Sequence, residues 1–397
     1  MENKDIIMFG LQSWDIEIGS NFKNMARIMS RSNKILYVNR PLDQASYLRN
    51  RKNKRVQSRL ASIWRTEDSL QEKEKNIWVL NPRITLKSIN KLPAGKIYKF
   101  LNKQNNVKIA SEIKNNADKI GFKNPVLIVD NDFLNGLYLK ELLQPDIFIY
   151  YLRDYLLSQK YFQRHGVISE PQIIKSADVV LTNSLYLEEY ARKYNSNSHD
   201  IGQGCEVDDF MKTGQPRPAD MTNIDFPVIG YAGMLTSARL NISLILFIAE
   251  SHKEWNIVLV GPQDNDFEES QLHSVSNIFF LGPKEPQQLP SYVRHFDVCI
   301  NPQILNQMTI GNYPRKIDEY LAAGKPVVAT DTEAMKYFEE VTYLCKTPED
   351  YVDKISLALE ESVDPKKKQQ RMAIAAGHTW EASVDKLYHF SYKKEKK

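Results

Sequence analysis

Two charged residues near the C-terminus of the chain are of the types that hold a phosphorylated ligand. The stretch NYPRKIDEYLAAGKPVVAT, residues 312–330, predicts a helix that begins at Pro314, ends before Gly324 and leads into a short β-branched strand. Lys316 and Glu319 lie three residues apart, so they share one face of this helix near its N-terminus. Unpaired N–H groups and a partial positive charge make a helix N-terminus suited to phosphate. Lys316 would add a full charge, and Glu319 would accept hydrogen bonds from a ribose diol.

The same spacing also has an ordinary structural interpretation. A lysine and a glutamate three apart on an exposed helix commonly form a weak surface pair, which stabilises the helix by roughly 0.2–0.5 kcal/mol. An acidic residue near a helix start is favourable through the helix dipole alone. Spacing by itself therefore leaves both interpretations open.

Composition indicates a globular protein that works inside the cell. The 397 residues predict two or three domains, and the fractions of hydrophobic residues (42%) and charged residues (26%) are ordinary. Cys205, Cys299 and Cys345 are too few and too scattered for a disulfide framework or a metal cluster, so we expect a reducing compartment. The start, MENKDIIMFGLQSWD, lacks signal-peptide features, and no apolar run reaches the roughly 18 residues of a membrane span. The predicted location is cytoplasmic, with peripheral contact to the inner face of the plasma membrane as a further hypothesis.

Charge is unevenly distributed along the chain. The net charge is +4, but residues 1–200 hold 32 Lys and Arg against 21 Asp and Glu, which gives +11, so the remainder carries −7. Such an asymmetry predicts an anionic partner for the first half.

Strand-like and helix-like segments alternate throughout, which is typical of α/β proteins with parallel sheets. Short apolar runs predict buried strands at residues 5–10, 34–41, 125–130, 147–152, 178–183, 227–233, 256–261, 277–282, 297–302 and 326–330. A proline-rich break over residues 212–227 predicts a linker. We therefore expect an N-terminal domain over 1–211, a C-terminal domain over 228–379 and a terminal helix over 380–397 that crosses back to the first domain.

The segment from Pro314 to Thr330 resembles the donor-site motif of retaining GT-B glycosyltransferases of the large group-1 type, the superfamily that includes glycogen-synthase-like enzymes. GYAGMLTSARLN resembles the first strand and turn of that family's donor domain, and IVLVGP with FFLGPKEPQQLPSYVRHFDVCINPQ resembles the stretch before the motif. W-x-x-x-x-G, LYVNRP and IYYLRD resemble a subgroup that makes bacterial surface polysaccharides of the teichuronic-acid type. The resemblance is specific over residues 277–330 and loose before residue 178.

The resemblance implies a fold of two Rossmann-like, doubly wound domains that face each other across a cleft. It implies that Lys316 contacts the donor diphosphate and that Glu319 holds the nucleotide ribose, with Gly233 and Gly282 in the same site. Arg239 stands where a second phosphate-binding cation is expected, and Met234 replaces a basic residue of the family. Gly311 occupies the position of a glutamate that commonly contacts the transferred sugar.

Several residues of the first half are candidates for the acceptor or sugar side. Asp130-Asn131-Asp132 looks like a metal-binding D-x-D motif, but helix dipoles and cations hold the phosphates in the GT-B group, so we predict no metal. Asp132 and Asp154 end predicted strands and would face the cleft, where a simple turn is an equally good interpretation. The loop after the first strand holds Trp14, Asp15 and Gly19, for which an ordinary loop role is also open.

Residues 47–65, YLRNRKNKRVQSRLASIWR, hold seven basic residues and no acidic ones, interleaved with apolar side chains. This composition predicts contact with an anionic membrane surface, and an acidic-acceptor site or a solvated loop fits it equally. No nucleic-acid motif accompanies the basic run, so we expect no nucleic-acid partner.

The predicted function is transfer of a sugar from a nucleotide-diphospho-sugar, carrying UDP, GDP or another nucleotide, to a hydroxyl of a polysaccharide or lipid-linked acceptor. Lys316 and Arg239 would stabilise the charge that grows on the leaving diphosphate. No further cofactor is expected. Two alternatives stay open: an inactive GT-B binding subunit of a polysaccharide assembly complex, which Gly311 favours, and a GT-B sugar-nucleotide epimerase.

Overall fold

The computed structural model of the protein describes residues 2–15, 20–49, 53–306, 309 and 313–391. The chain divides into a first unit, Met1–Gly202 with Ser383–Lys397, and a second unit, Gln203–Ala382. The predicted linker over residues 212–227 falls within the second unit, and most of the predicted terminal helix groups with the first. Gly19 and Gly311 lie outside the described residues.

The first unit alternates strands and helices along most of its length. Its elements are β1 (Asp5–Gly10), α1 (Asn21–Met29), β2 (Lys34–Val38), β3 (Leu42–Asp43), α2 (Gln44–Arg49), α3 (Lys54–Ile63), β4 (Leu70–Glu74), β5 (Ile77–Leu80), β6 (Thr85–Leu86), α4 (Lys96–Lys119), β7 (Val126–Asp130), α5 (Leu139–Leu143), β8 (Ile147–Leu152), α6 (Lys160–Ser176), β9 (Val179–Thr182), α7 (Leu185–Arg192) and β10 (Ser198–Asp200).

The main sheet of this unit has the strand order β10-β9-β8-β7-β1-β2-β5-β4. The strands pair in parallel, apart from the antiparallel pair that β4 makes with β5 at one edge. The central strands are fully buried, which explains why they appear in the sequence as continuous apolar runs rather than alternating ones. The predicted α/β architecture is confirmed here.

The second unit begins with a short helix and then repeats the same alternation. Its elements are α8 (Asp208–Met211), β11 (Val228–Ala232), α9 (Ile242–Ser251), β12 (Asn256–Val260), α10 (Asn265–Glu268), β13 (Ile278–Gly282), α11 (Leu289–Arg294), β14 (Val298–Asn301), α12 (Arg315–Ala322), β15 (Val327–Thr330), β16 (Tyr343–Cys345), α13 (Pro348–Glu361) and α14 (Pro365–Gly377). The last helix, α15 (Trp380–Ser391), begins here and ends in the first unit.

The six strands of this unit form a wholly parallel sheet in the order β13-β12-β11-β14-β15-β16. Helices α9 and α13 bury their apolar sides on one face, and α11, α12 and α14 bury theirs on the other. The order of the strands reverses between β11 and β14. In doubly wound sheets, ligands bind at the carboxyl ends of the strands beside such a reversal. The topology therefore points to the loops after β11 and β14.

Helix α12 forms where its sequence predicts. Pro314 occupies the N-cap position, and Gly324 follows the helix with a φ of +76°, a left-handed conformation that favours glycine. The Gly324 and Lys325 amides donate to the carbonyls of Leu321 and Tyr320, which completes the helix end. Because Ile317, Tyr320 and Leu321 are buried, the opposite face of the first turns is left for Lys316 and Glu319.

Among the described residues, no helix combines the length and the apolar character that a bilayer crossing requires.

Candidate functional site

The carboxyl ends of β11, β12 and β13 are joined through glycines. The Gly233 amide donates to the Val260 carbonyl at 2.8 Å, and the Gly261 amide donates to the Gly282 carbonyl at 2.9 Å. Gly261 has a φ of +147°, and a Cβ there would lie 1.9 Å from the Gly233 carbonyl oxygen. The backbone can therefore pack this closely only without side chains, and it leaves an edge lined by main-chain groups.

Lys316 reaches this edge from the first turn of α12. A Cβ on Gly233 would lie 2.3 Å from both Cε and Nζ of Lys316, so the lysine occupies the space that the glycine leaves. Its Nζ lies 5.2 Å from the centre of the Tyr231 ring, a cation–π contact that helps to hold the amine at the end of β11. Within the part of the chain that the structure describes, Lys316 has no carboxylate partner within ion-pair distance. A partly buried cation placed in this way is suited to an anionic ligand.

Glu319 lies one turn further along the same face, with a side chain that is 20% exposed. Its Oε1 is 3.7 Å from an Arg315 guanidinium nitrogen, too long for a hydrogen bond, so both carboxylate oxygens keep accepting capacity. Burial raises the pKa of Glu319, and the positive charges of Arg315 and Lys316 oppose that rise. Glu319 thus shares a helix face with Lys316, as its spacing predicts, and its contact with a ribose stays a prediction.

We expect nucleotide affinity to depend on the ionisation of Glu319. Because its pKa is raised above the ordinary value of about 4.3, protonation will begin at a higher pH than for an exposed glutamate and will weaken acceptance from a ribose diol. Affinity for a nucleoside diphosphate, measured by calorimetry, should therefore fall as the pH is lowered toward that range. The Glu319→Gln variant has no titrating carboxyl at this position. The difference between its affinity–pH profile and that of the wild type therefore separates the titration of Glu319 from that of the phosphate. Parallel profiles would contradict this role.

Arg239 lies in the loop between β11 and α9, and its side chain is exposed. Its carbonyl accepts from the Ile304 amide at 2.8 Å, and the neighbouring Ala238 carbonyl accepts from the Asn306 side chain at 3.0 Å. These bonds tie the loop after β11 to the loop after β14, at the edge where α12 follows. No described residue forms an ion pair or side-chain hydrogen bond with its guanidinium, which leaves it available to an anion.

Gly282 ends β13, two strands away from β11, with a φ of +69°. A Cβ on Gly282 would meet nothing within 4 Å. Gly282 thus lies at the same edge of the sheet as Gly233. The space beside it is open, whereas Lys316 fills the space beside Gly233.

A buried pair beneath α12 is a feature that sequence reasoning missed. Asp318 is fully buried and accepts a 2.7 Å hydrogen bond from His378 Nδ1, while the Tyr313 hydroxyl lies 3.1 Å from the same nitrogen. Burial raises the pKa of Asp318, and His378 opposes the rise. The pair ties the first turn of α12 to the segment after α14. An acidic residue on the apolar side of an amphipathic helix was the only available signal.

In the first unit, Asp130 and Asp154 are brought together by Arg153. The guanidinium Nε donates to Asp130 Oδ1 at 2.6 Å, and Nη1 donates to Asp154 Oδ2 at 2.8 Å. Asp130 is fully buried, whereas Asp154 is 41% exposed. Burial raises the pKa of Asp130, and the Arg153 charge opposes that rise. The cluster stabilises a buried carboxylate, and Asp154 is its solvent-facing member.

Replacing Arg153 with methionine should destabilise the protein strongly. The variant would leave Asp130 buried without its cation, which we expect to lower the free energy of unfolding by about 3–5 kcal/mol. Arg27→Met is the control, since the Arg27–Glu74 pair is 45% and 38% exposed and should contribute less than about 1 kcal/mol. Urea denaturation measures both. Equal losses in the two variants would contradict a structural role for the buried cluster.

Asp132 does not join that cluster. It is 1% exposed, and it accepts hydrogen bonds from the Asn135 amide at 3.0 Å and from the Asn135 side chain at 2.8 Å. Arg40 Nε lies 3.4 Å from Asp132 Oδ2, the oxygen that also accepts from the Asn135 side chain. With Asp130 bound to Arg153, the two carboxylates of the D-x-D sequence are thus engaged by different protein groups. In the described part of the chain, no cluster of three or more His, Cys, Asp or Glu side chains is arranged to hold a metal ion.

Trp14 and Asp15 belong to a separate group of contacts. Trp14 is buried, donates its amide to Asn39 Oδ1 at 2.7 Å and packs edge-on against Tyr37. Asp15 accepts two hydrogen bonds, at 2.9 and 3.0 Å, from the buried guanidinium of Arg59. Both residues hold the loop after β1 in place, and Asp15 neutralises one of the basic residues of segment 47–65.

A polar cavity of 480 Å³ in the first unit includes none of the predicted acceptor-side residues in its lining. It is lined by the loops after β2, β6 and β7 and by the inner face of α4, with Arg40, Asn90, Lys91 and Tyr98 among its residues. The Asn90 Oδ1 atom is buried without a hydrogen-bond partner in the described structure. Tyr98 stacks on His165 with ring centres 3.5 Å apart. Such a cavity suits a polar ligand of saccharide size.

Comparison with solved structures identifies the fold. Sucrose-phosphate synthase from Thermosynechococcus elongatus matches with a TM-score of 0.66 at 14% identity, over 98% of both chains. HepE from Anabaena in complex with UDP matches with a TM-score of 0.65 at 14% identity, over 97% of this chain and 98% of the other. The chain therefore has the GT-B fold, as predicted.

Sequence comparison shows what the main part of the second unit is similar to. Residues 226–361 match the family model described as "Glycosyl transferases group 1". The Bacillus subtilis (strain 168) protein TuaH, whose name assigns it to teichuronic acid biosynthesis as a glycosyltransferase, is 27% identical over 241 residues, which are 57% of this chain. The match spans 60% of the length of that relative.

Proposed function

We propose that the protein transfers a sugar from a nucleotide-diphospho-sugar to a hydroxyl of a polysaccharide or lipid-linked acceptor. One observation carries the proposal: the Lys316 amine lies against Gly233 at the end of β11, with the Glu319 carboxylate one turn along the same face of α12. The reversal of strand order at β11 and β14 makes this edge the expected ligand site of the sheet. The HepE structure, which has the same fold, contains UDP.

The donor would be held by charge at one end and by hydrogen bonds at the other. The Lys316 amine, the first amides of α12 and the Arg239 guanidinium would bind the diphosphate, because planar guanidinium donors and helix N-termini both suit phosphate oxygens. Glu319 would accept from the two ribose hydroxyls, which fixes the orientation of the donor. Gly282, beside which the space is open, would allow the ligand to approach the backbone closely, and Gly233 would make room for the Lys316 amine that binds it.

In the proposed reaction the bond from the anomeric carbon to the diphosphate breaks as the acceptor oxygen forms a new bond to that carbon. Negative charge grows on the leaving diphosphate, and preorganised cations at Lys316 and Arg239 stabilise it most at that moment. The acceptor oxygen attacks from the same face that the diphosphate leaves, so the configuration is retained without a covalent enzyme intermediate. The leaving phosphate oxygen takes the proton of the acceptor hydroxyl. No resident metal is needed, since the protein's own cations neutralise the phosphates.

The polar cavity of the first unit is the proposed place for part of the acceptor. Three cations, Arg40, Lys87 and Lys91, line the cavity together with one carboxylate, Asp43, so positive charge is in excess there. The +11 balance of residues 1–200 also favours an anionic acceptor. Among the residues first predicted for this side, Asp154 and Asp15 are exposed enough to contact a ligand directly, with side chains 41% and 32% exposed, whereas the buried Trp14 and Asp132 would support the loops around it.

Contact of residues 47–65 with an anionic membrane stays a prediction. Within α3, Val56 and Leu60 pack against Leu42, and Arg59 is bound to Asp15. These three side chains of the segment are therefore engaged inside the protein and are not available to a membrane. Trp64, just after α3, is 61% exposed and has the most exposed large apolar side chain among the described residues of this segment.

A panel of nucleotide sugars separates the proposed function from its alternatives. The protein is incubated with each donor, with and without a membrane extract that supplies acceptors, and nucleotide release is followed. Release that depends on the extract supports transfer, conversion of one donor into another supports an epimerase, and binding without turnover supports a binding subunit. The last result is the one that Gly311, in place of a sugar-contacting glutamate, would favour. Anomeric coupling constants of the first product, measured by NMR, test retention separately.

A further inference from the structure

The outer face of α4 in the first unit presents large apolar side chains to solvent. Ile97 is 72% exposed, Phe100 is 62% exposed and Val107 is 42% exposed. At about 100° per residue, these three lie within an arc of about 80° on the side opposite the buried Tyr98 and Asn102. A helix whose inner face packs into its own unit does not need apolar residues on the outer face as well, so this face points to a partner.

Lysines flank that apolar stripe on both sides. By the same helical period, Lys96, Lys99 and Lys103 lie on one side of it and Lys108 on the other, and residues 96–108 contain no acidic residue. Lys103 pairs with Glu141 at 2.9 Å and lies over the Tyr138 ring at 5.6 Å. No carboxylate of the described residues pairs with Lys96, Lys99 or Lys108.

The surface continues beyond the helix itself. An open groove of 660 Å³ runs along α4, with Lys99, Phe100, Val107 and Tyr138 in its lining. Ile168 of α6 is 42% exposed and shares a small neighbouring pocket with Lys99. The patch is therefore wider than one helix stripe.

We propose that this face of α4 docks on an anionic phospholipid bilayer. An apolar centre with cations at its margins complements such a surface, because the apolar side chains enter the interface while each lysine ammonium stays at the level of the anionic headgroups. A protein partner with an acidic rim would need a complementary groove of its own. A bilayer needs only an apolar centre with cations at its margins. The proposal is independent of glycosyl transfer, and it concerns residues that lie outside the segment 47–65 predicted from the sequence.

Vesicle flotation tests the proposal with no nucleotide sugar present. The full chain should bind vesicles of phosphatidylglycerol and phosphatidylcholine, bind pure phosphatidylcholine weakly, and dissociate at high salt. The Ile97→Ser/Phe100→Ser variant should bind at least tenfold more weakly. Lys99→Gln/Lys108→Gln should lose about fivefold per lysine. The matched control Lys253→Gln/Lys366→Gln, which changes two exposed lysines of the second unit, should bind as the wild type does.

Three results would overturn the proposal. The first is no preference of the wild type for anionic vesicles. The second is loss of binding in Trp64→Ser with full binding in Ile97→Ser/Phe100→Ser, which would assign the contact to segment 47–65. The third is a wild-type dimer in light scattering that Ile97→Ser/Phe100→Ser abolishes, with no vesicle binding, which would make the face a contact between two copies. Circular dichroism melts establish that each variant is folded before it is compared.

Discussion

Replacing Lys316 with alanine should abolish measurable binding of a nucleoside diphosphate and lower turnover with a nucleotide sugar at least about 100-fold. The Lys316 amine lies at the end of β11 with no carboxylate partner among the residues that the structure describes, so its charge is available to the phosphates both in the ground state and as the leaving group departs. Losing one preorganised donor to a developing anion commonly lowers turnover by about two to three orders of magnitude. Calorimetry measures the affinity, and nucleotide release measures the turnover.

The matched control is Lys253→Ala, an exposed lysine just before β12, at the opposite edge of the same sheet. It removes the same charge from the same unit, so it separates a local effect from a change in the overall field. We expect its affinity to stay within about twofold of the wild type. Unchanged nucleotide affinity in Lys316→Ala would refute the assignment of the donor site to α12.

Gly233→Ala should have an effect of similar size, although it removes no charge. The added Cβ would lie 2.3 Å from Cε and Nζ of Lys316, and the φ of +144° at this position is rarely adopted by residues with side chains. The amine must move away from the end of β11, so affinity and turnover should fall about 100-fold. The strained backbone should also lower the free energy of unfolding by about 1–3 kcal/mol.

Gly214→Ala is the control for strain without displacement. Gly214 also has a left-handed φ, +83°, but a Cβ there would meet nothing within 4 Å. Both variants should lose stability, whereas only Gly233→Ala should lose nucleotide affinity. If Gly214→Ala lost affinity in proportion to its stability, the effect at Gly233 would be one of general destabilisation and not of lysine position.

Much of the fold follows from the sequence because parallel sheets bury both faces of their central strands. PVLIVD, IFIYYL and NIVLVG each become a strand within one residue of the predicted bounds. Of the edge strands, β13 was predicted at residues 277–282, whereas β4, β10 and β16 were missed. Strand β4, LQEKE, is polar and only partly buried, and it pairs antiparallel with β5, so it has no apolar run to reveal it.

The donor side of the candidate site was predictable because its parts lie close together in sequence. Lys316 and Glu319 share one helix, and the limits of that helix are given by a proline and a glycine. The contact of Lys316 with Gly233 could not be predicted from the sequence, because it joins residues that are far apart in the chain and depends on the order of the strands.

The acceptor side shows why residue type alone was insufficient. Asp15, Asp132 and Asp154 were chosen as carboxylates near strand ends, yet each has a partner that only the folded chain reveals, such as Arg59 for Asp15. The polar cavity collects residues from Arg40 to Tyr161 in sequence, with no local motif among them. The exposure of Phe100 could not be predicted from the sequence either, because it depends on which side of α4 packs inward.

The most direct test of the central claim is a crystal structure of the protein with UDP or the nucleoside diphosphate that binds best in the panel. We expect phosphate oxygens at about 3 Å from Lys316 Nζ and the ribose hydroxyls on the Glu319 carboxylate. A diphosphate bound in the first unit's polar cavity beside Arg40, with Lys316 and Glu319 untouched, would contradict it.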